Sequence, residues 1–442
     1  MRTGTAVAVL LALGYGQTAL ANGLPAAITE DDYAPVRAEE AALGQLLFYD
    51  PILSGNKEVA CATCHHPALG TGDGLSLPMG DGGMGLGPDR VVDANNPPEQ
   101  RVPRNAQPLF NLGAKEFKVL FHDGRIEEDA TRPYGLRTPL DEDMLQGFDS
   151  LLSAQTMFPV LSNDEMAGHY SESEIATAVR QGRLTGPGGA WDLIARRVAQ
   201  IPAYADQFRA VYGIEPDQIA FTDISNAIAA FMAFEWRSDT APFDAYLRGQ
   251  GDLSDAALRG MELFYGEAGC SACHGGKFQT DHGFHAMGVP QLGPGKGARF
   301  ETHARDDGRF RVTGHPEDAY AFRTPSLRNV ALTGPYGHSG AYATLDGFVV
   351  AHLDPLAALE VYDRTQVVLP AMEVADWRVM DDPEAVAAIK AAVTVQPVDL
   401  SPDEIAELLA FLESLTDPIA PVGRLGVPAT VPSGLTVPNP VK

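Results

Sequence analysis

Apolar positions recur with helical spacing along much of this chain, and with strand spacing hardly anywhere. Between residues 39 and 49, Ala42, Leu43, Leu46, Leu47 and Phe48 fall on one face of a helix. Residues 258–265 carry the same pattern, and Gly44-Gln-Leu-Leu-Phe-Tyr49 matches Gly260-Met-Glu-Leu-Phe-Tyr265 at four of six positions. Helical periods also span residues 173–181, 190–200 and 222–236, the last apolar enough for a core helix. A final helix over 402–414 is announced by Ser401 as N-cap, with Glu404 three residues on. The related hexapeptides lie about half a chain apart, which predicts two related domains rather than a repeat array.

Between these elements the chain is rich in turn formers. Residues 69–108 form a Gly/Pro-rich loop that includes Met79-Gly-Asp-Gly-Gly-Met-Gly-Leu-Gly-Pro88. Its glycines allow close backbone approach to a flat cofactor, and a plain surface loop reads equally well. Residues 240–252 form the expected boundary, and residues 418–442 a Pro/Val-rich tail, extended or loose. The expected fold class is mainly α, with long ordered loops, a first domain over 36–242 and a second over 243–417.

The length of 442 residues suits two domains, and 45 Gly with 33 Pro agree with long loops between modest helices. A formal charge of −26 argues against nucleic acid or an anionic membrane surface as partner, and is compatible with a cationic protein. Residues 1–21 read as a cleaved signal peptide. Arg2 supplies the positive start, residues 6–13 the apolar stretch, and Ala19-Leu20-Ala21 the cleavage pattern. No segment is long enough to span a bilayer, so a periplasmic protein is expected.

The chemistry is carried by two pentapeptides, Cys61-Ala-Thr-Cys64-His65 and Cys270-Ser-Ala-Cys273-His274. Cys-x-x-Cys-His is the attachment signature of a c-type haem: two thiols bind the vinyl groups, and the following His meets the iron. A zinc knuckle or a redox pair would use the same Cys spacing. The immediate His at both sites, and the lack of further Cys to complete ordinary zinc sets, favour two covalent haems. Four Cys cannot staple a chain of this length.

The chain resembles the bacterial dihaem cytochrome c peroxidases and their MauG-type relatives. The resemblance rests on Leu47-Phe-Tyr-Asp-Pro-Ile-Leu-Ser54, the first haem motif, Thr71-Gly-Asp-Gly74, Arg104-Asn-Ala-Gln-Pro108, Phe121-His-Asp-Gly-Arg125, Arg323-Thr-Pro-Ser-Leu-Arg-Asn329 and Pro335-Tyr-Gly-His-Ser-Gly340. It implies two cytochrome c-like domains, the first holding a peroxidatic haem over His65 and the second an electron-transfer haem over His274. It implies Glu165, of the Glu165-Met166 pair, as the catalytic acid and base, with helix capping as the alternative role. The sixth ligand of the second haem falls on His352, with Met287 and Met372 as runners-up. One calcium ion is implied between the haems, held by Asn105, Thr333 and Pro335. Arg104, Arg323 and Arg328 are offered as propionate partners, with surface roles equally open.

Two departures from the family pattern stand out. The Gly-rich loop lacks the His that closes the resting peroxidatic haem in typical peroxidases, and Asp81 falls near its place. The family's inter-haem Trp is replaced by His122, which is harder to oxidise. Residues 131–158 read as an inserted loop. His66, His169, His282, His285, His303, His315 and His338 are assigned structural or surface roles. The implied function is reduction of hydrogen peroxide to water with electrons from a small donor such as cytochrome c or a cupredoxin, a homodimer being compatible. The alternatives are a MauG-like oxidase, which modifies residues of a partner protein through a high-valent iron state, and a non-catalytic dihaem electron carrier.

Overall fold

The computed structural model describes residues 23–297 and 301–439; the expected signal peptide and residues 440–442 lie outside the described residues. The architecture is mainly helical, and the strands are only two or three residues long. Six helices frame the sites: α1 (Ala38–Tyr49), α2 (Ala190–Ala199), α3 (Phe221–Glu235), α4 (Asp255–Tyr265), α5 (Leu345–Leu353) and α6 (Pro402–Glu413). No described helix is long and apolar enough to cross a membrane.

The repeated hexapeptide has a physical reason. In the first half α1 crosses α3, and in the second α4 crosses α6. A Cβ on Gly44 would lie 1.8 Å from the carbonyl oxygen of Ala227, and one on Gly260 would lie 1.9 Å from that of Glu407. The shared glycine is therefore the point of closest approach in each helix pair. The aromatic residues that follow it fill the crossing. Phe48 meets Phe231 and Trp236 at ring-centroid distances of 5.3 and 5.0 Å, and Phe264 meets Phe411 at 5.1 Å.

Alanine in a helix ordinarily gains about 1 kcal/mol over glycine. Here a methyl driven into a backbone carbonyl costs about 3 kcal/mol, so the sign reverses. Gly44→Ala and Gly260→Ala are each expected to lower the Tm of the haem-loaded protein by several degrees in a thermal scan. A rise in Tm for either would contradict the close crossing.

The two cores exchange side chains. Leu77, from the Gly-rich loop of the first half, is buried in the second core with Phe243, Phe264 and Phe411. Phe278, from the second half, is buried in the first core, where it meets Tyr33 and Phe117 edge-on. The crossing between halves is stapled by polar groups. Asp417 accepts from the backbone N–H of Asp239 and Thr240, and Asn329 joins Ser238 to the Asp417 N–H.

Several segments differ from expectation. Residues 131–158 are not a bare loop: Leu136–Arg137 pairs with Ile126–Glu128, and the helix Leu151–Thr156 packs on α3 with Leu152 and Ala154 buried. The tail after Pro418 is extended but docked. The Glu235 carboxylate accepts three backbone N–H groups from Arg424, Leu425 and Gly426, and Ser433 donates to Asp50. Pro242, inside the expected boundary at 240–252, opens the helix Pro242–Leu247 and places Phe243 in the second core.

Candidate active site

Each attachment motif ends a short helical turn, and each proximal imidazole is anchored in the same way. His65 Nδ1 lies 2.9 Å from the Thr71 carbonyl oxygen, and His274 Nδ1 lies 3.2 Å from that of Gln279. A carbonyl oxygen only accepts, so in both rings Nδ1 carries the proton and Nε2 is left with a free lone pair, the tautomer a metal ligand needs. Burial holds both imidazoles below the usual histidine range, His274 at about 4. Both therefore stay neutral.

His352 repeats the arrangement from α5. Its Nδ1 lies 2.8 Å from the Phe348 carbonyl oxygen, and its ring stands edge-on to Phe348 at 4.4 Å. His352 and His274 line one cavity with Cys270, Cys273 and Met287, close enough that a charge on His352 opposes protonation of His274. The cavity is large and mostly apolar, walled by Phe264, Val330, Phe348 and Leu412 among others. The donor set and the apolar wall fit a covalently held haem. Met287 shares that wall, whereas Met372 does not line it.

Arginines sort themselves by partner. Arg328 is fully buried against Asp244 at 2.8 Å and donates to the Lys277 carbonyl, so it is a structural cation. Arg104 donates to both Asp306 oxygens at 2.6 and 2.8 Å and meets Asp123 at 2.7 Å. Each already holds a buried carboxylate, and neither takes the surface role that was the alternative. Arg323 differs: like Arg328 it lines the cavity, but it donates to the Phe121 and Thr324 carbonyls and has no carboxylate among its described partners. Burial alone lowers its pKa to about 10. A lone guanidinium on the cavity wall suits a propionate.

Asn105, Thr333 and Pro335 also line this cavity. The Asn105 amide nitrogen donates to the Leu75 carbonyl at 2.8 Å, leaving its Oδ1 as the end available to a cation. One amide oxygen with neighbouring carbonyls fits a hard ion such as calcium.

Around the first motif the arrangement is different. Glu165 lies in the turn Asn163–Ala167, where Ser162 accepts from its backbone N–H, so the capping role belongs to Ser162. The Gly-rich loop presses on this turn: a Cβ on Gly80 would lie 2.1 Å from the Asp164 oxygen, and the Asp81 N–H donates to that oxygen. The loop itself is wound around buried Arg90, which donates to the Met79, Gly80 and Gly85 carbonyls. Asp81 accepts from Asn56.

Loss of solvation pushes the Glu165 carboxyl above the usual range, opposed by Lys296 and Arg125 and helped by Asp164. Its charge is felt at the Cys64 sulfur of the first motif. Lys296 has no signal in sequence pattern, since it comes from the second half. Burial, with Arg125 nearby, lowers its amine to about 8.

His122 lines the second cavity, and its carbonyl accepts from the Arg323 N–H. Burial, with Arg104 and His338 nearby, keeps its imidazole neutral. Asp123 follows; burial raises its pKa, yet Arg125 and Arg104 hold the carboxyl well below the usual range. The short segment from His122 to Arg125 thus runs from the second cavity to the surroundings of Glu165.

A sequence profile described as di-haem cytochrome c peroxidase matches residues 38–252. The methylamine utilization protein MauG of Methylorubrum extorquens is 29% identical over 396 residues, covering 88% of this chain and 82% of that protein. The cytochrome-c peroxidase IdrP1 of Denitromonas iodatirespirans is 30% identical over 336 residues, covering 71% and 72%. Among solved structures, a MauG-like protein associated with microbial copper homeostasis superposes with a TM-score of 0.58 at 26% identity, covering 91% of this chain and 96% of that one.

Proposed function

Since this chain belongs to the dihaem cytochrome c peroxidase and MauG family, we propose that it is an exported dihaem peroxidase that reduces hydrogen peroxide to water. Each half is read as a cytochrome c-like haem domain, and a small cationic redox protein as the donor at the second. The observation that carries this reading is the asymmetry of the two sites. The second cavity offers two anchored imidazoles, His274 and His352. The first motif offers one, His65, with the carboxylate of Glu165 beside it.

His274 and His352 together would hold a haem suited to relaying electrons, and His65 alone would hold one able to supply the reaction with peroxide. Glu165 takes the proton from the attacking oxygen of hydrogen peroxide and returns it to the departing one. Two electrons from the donor and two protons from solvent complete the conversion of one peroxide to two waters. Burial raises the Glu165 pKa, and Lys296 and Arg125 oppose that rise, favouring the charged, basic form. Arg323 would hold a propionate, and Asn105 with the carbonyls of Thr333 and Pro335 would hold calcium. His122 lies on the route between the sites.

A second reading, a MauG-like oxidase acting on a partner protein, is favoured by the loop that carries Asp81 where an imidazole would close the first haem. Steady-state oxidation of reduced cytochrome c by peroxide separates the two, because rapid turnover is expected only for the peroxidase. EPR of the resting ferric protein is expected to show one high-spin and one low-spin haem, with peroxide reacting directly. Two low-spin haems, reactive only after partial reduction, would overturn the open first site.

A further inference from the structure

Beyond the haems, one cluster of ligating side chains has no part in the chemistry above. Asp81 from the Gly-rich loop, and His169 and Glu172 from the segment after the Glu165 turn, each bring a ligand atom to within 4.8 Å of the others. Asp81 is 1% exposed, and among the described residues its carboxylate accepts only from Asn56 Nδ2, at 3.2 and 3.3 Å. The same amide reaches Glu172 at 2.8 Å, so one neutral group holds two carboxylates side by side. The Glu172 carboxylate also accepts from the His169 N–H at 2.7 Å. On the His169 ring, Nε2 is shut off from solvent and has no hydrogen-bond partner, while Nδ1 lies 3.7 Å from Glu99.

This local charge is unbalanced. Arg90, a buried cation that feels the charge of Asp81, spends its donors on loop carbonyls. Two carboxylates and an imidazole with a sealed, unpartnered nitrogen form a mixed oxygen–nitrogen set, which suits borderline divalent ions such as zinc. Bonds of about 2.0–2.2 Å require ligand atoms about 3–4 Å apart. Glu172 is the exposed member of the cluster, and binding an ion would exchange its present bonds to Asn56 and the His169 N–H for a bond to the metal.

We propose that Asp81, His169 and Glu172 bind one borderline divalent transition-metal ion of the zinc class. The ion would tie the Gly-rich loop to the segment that follows Glu165, two stretches already joined by the bond from the Asp81 N–H to the Asp164 oxygen. The site is distinct from the calcium position, which is built of neutral oxygens and lines the second cavity.

The test uses the haem-loaded protein, stripped with chelator and returned to buffer with millimolar calcium so that the hard-ion position stays filled. Calorimetric titration with zinc chloride is expected to show one ion per chain at micromolar affinity or tighter. Glu172→Gln and His169→Gln are each expected to weaken binding at least about tenfold, with the haem absorption spectrum unchanged. Glu172 is exposed, so its variant is safe for folding. Zinc should also slow amide hydrogen exchange over residues 79–88 in the parent protein and not in Glu172→Gln. No uptake of zinc overturns the proposal. Uptake that both variants leave unchanged does so too, because it would place the ion on surface pairs such as His285 and Asp281.

Discussion

Replacing Glu165 by Gln lowers peroxide turnover by roughly two to four orders of magnitude, the range for a lost general acid and base. The amide keeps the size of the side chain, so haem content and peroxide affinity stay near those of the parent. A pH profile gives a second readout. Because loss of solvation raises the Glu165 pKa, the acid limb of kcat/KM lies above the usual carboxylate range. The base must be deprotonated, so activity rises with pH through that raised value. In Glu165→Gln the limb disappears along with the rate. Lys296, lowered to about 8, loses its charge at higher pH and stops opposing the upward shift of Glu165. Turnover like the parent's would assign the proton transfer to another carboxylate, with Asp164 the neighbour to test.

His352→Ala converts the low-spin ferric signal of the second haem to high spin and leaves the first haem unchanged. The reason is geometric. His352 and His274 share one cavity with the same tautomer fixed by backbone carbonyls, and on the proposed ligation alanine would leave the second iron with one protein ligand. EPR at low temperature reads the change directly. Donor-dependent turnover should fall with it, since a five-coordinate haem reorganises more on each electron transfer. A low-spin signal that survives the substitution would move the assignment to Met287 on the same wall.

The legible parts of this protein were those written in local pattern. The haem motifs, the glycine-centred hexapeptides and most long helices follow from residues close in sequence. Helices that begin with proline were harder to read: Pro202–Tyr212, Pro242–Leu247, Pro355–Glu360 and Pro383–Ala392 all start with a residue that resembles a breaker. At the first helical position proline lacks only an N–H that would be unpaired anyway. Partners distant in sequence left no trace. Arg104 and Asp306 are 202 residues apart, and Arg328 and Asp244 are 84 apart. Three arginines therefore read alike until their acids were located, and Arg323 alone among them has no acid partner within the described residues. Lys296 was illegible for the same reason.

The docked tail bears on how the molecule can be taken apart. After Trp236 the chain leaves the first half, builds the second, and returns at Asp417 to lie against Glu235, Gln45 and Asp50. The second half is thus spliced into the first as a guest in a host, rather than joined to it like beads on a string. A fragment that stops at residue 242 would leave the Glu235 carboxylate without the three N–H groups it accepts from, and would expose the apolar surface under Ala420 and Val431. With both ends of the guest pinned to the host, the two haem positions keep one spacing and one mutual angle. Electron exchange between the proposed haems would then proceed across one fixed gap, rather than waiting on how often two tethered pieces happen to meet.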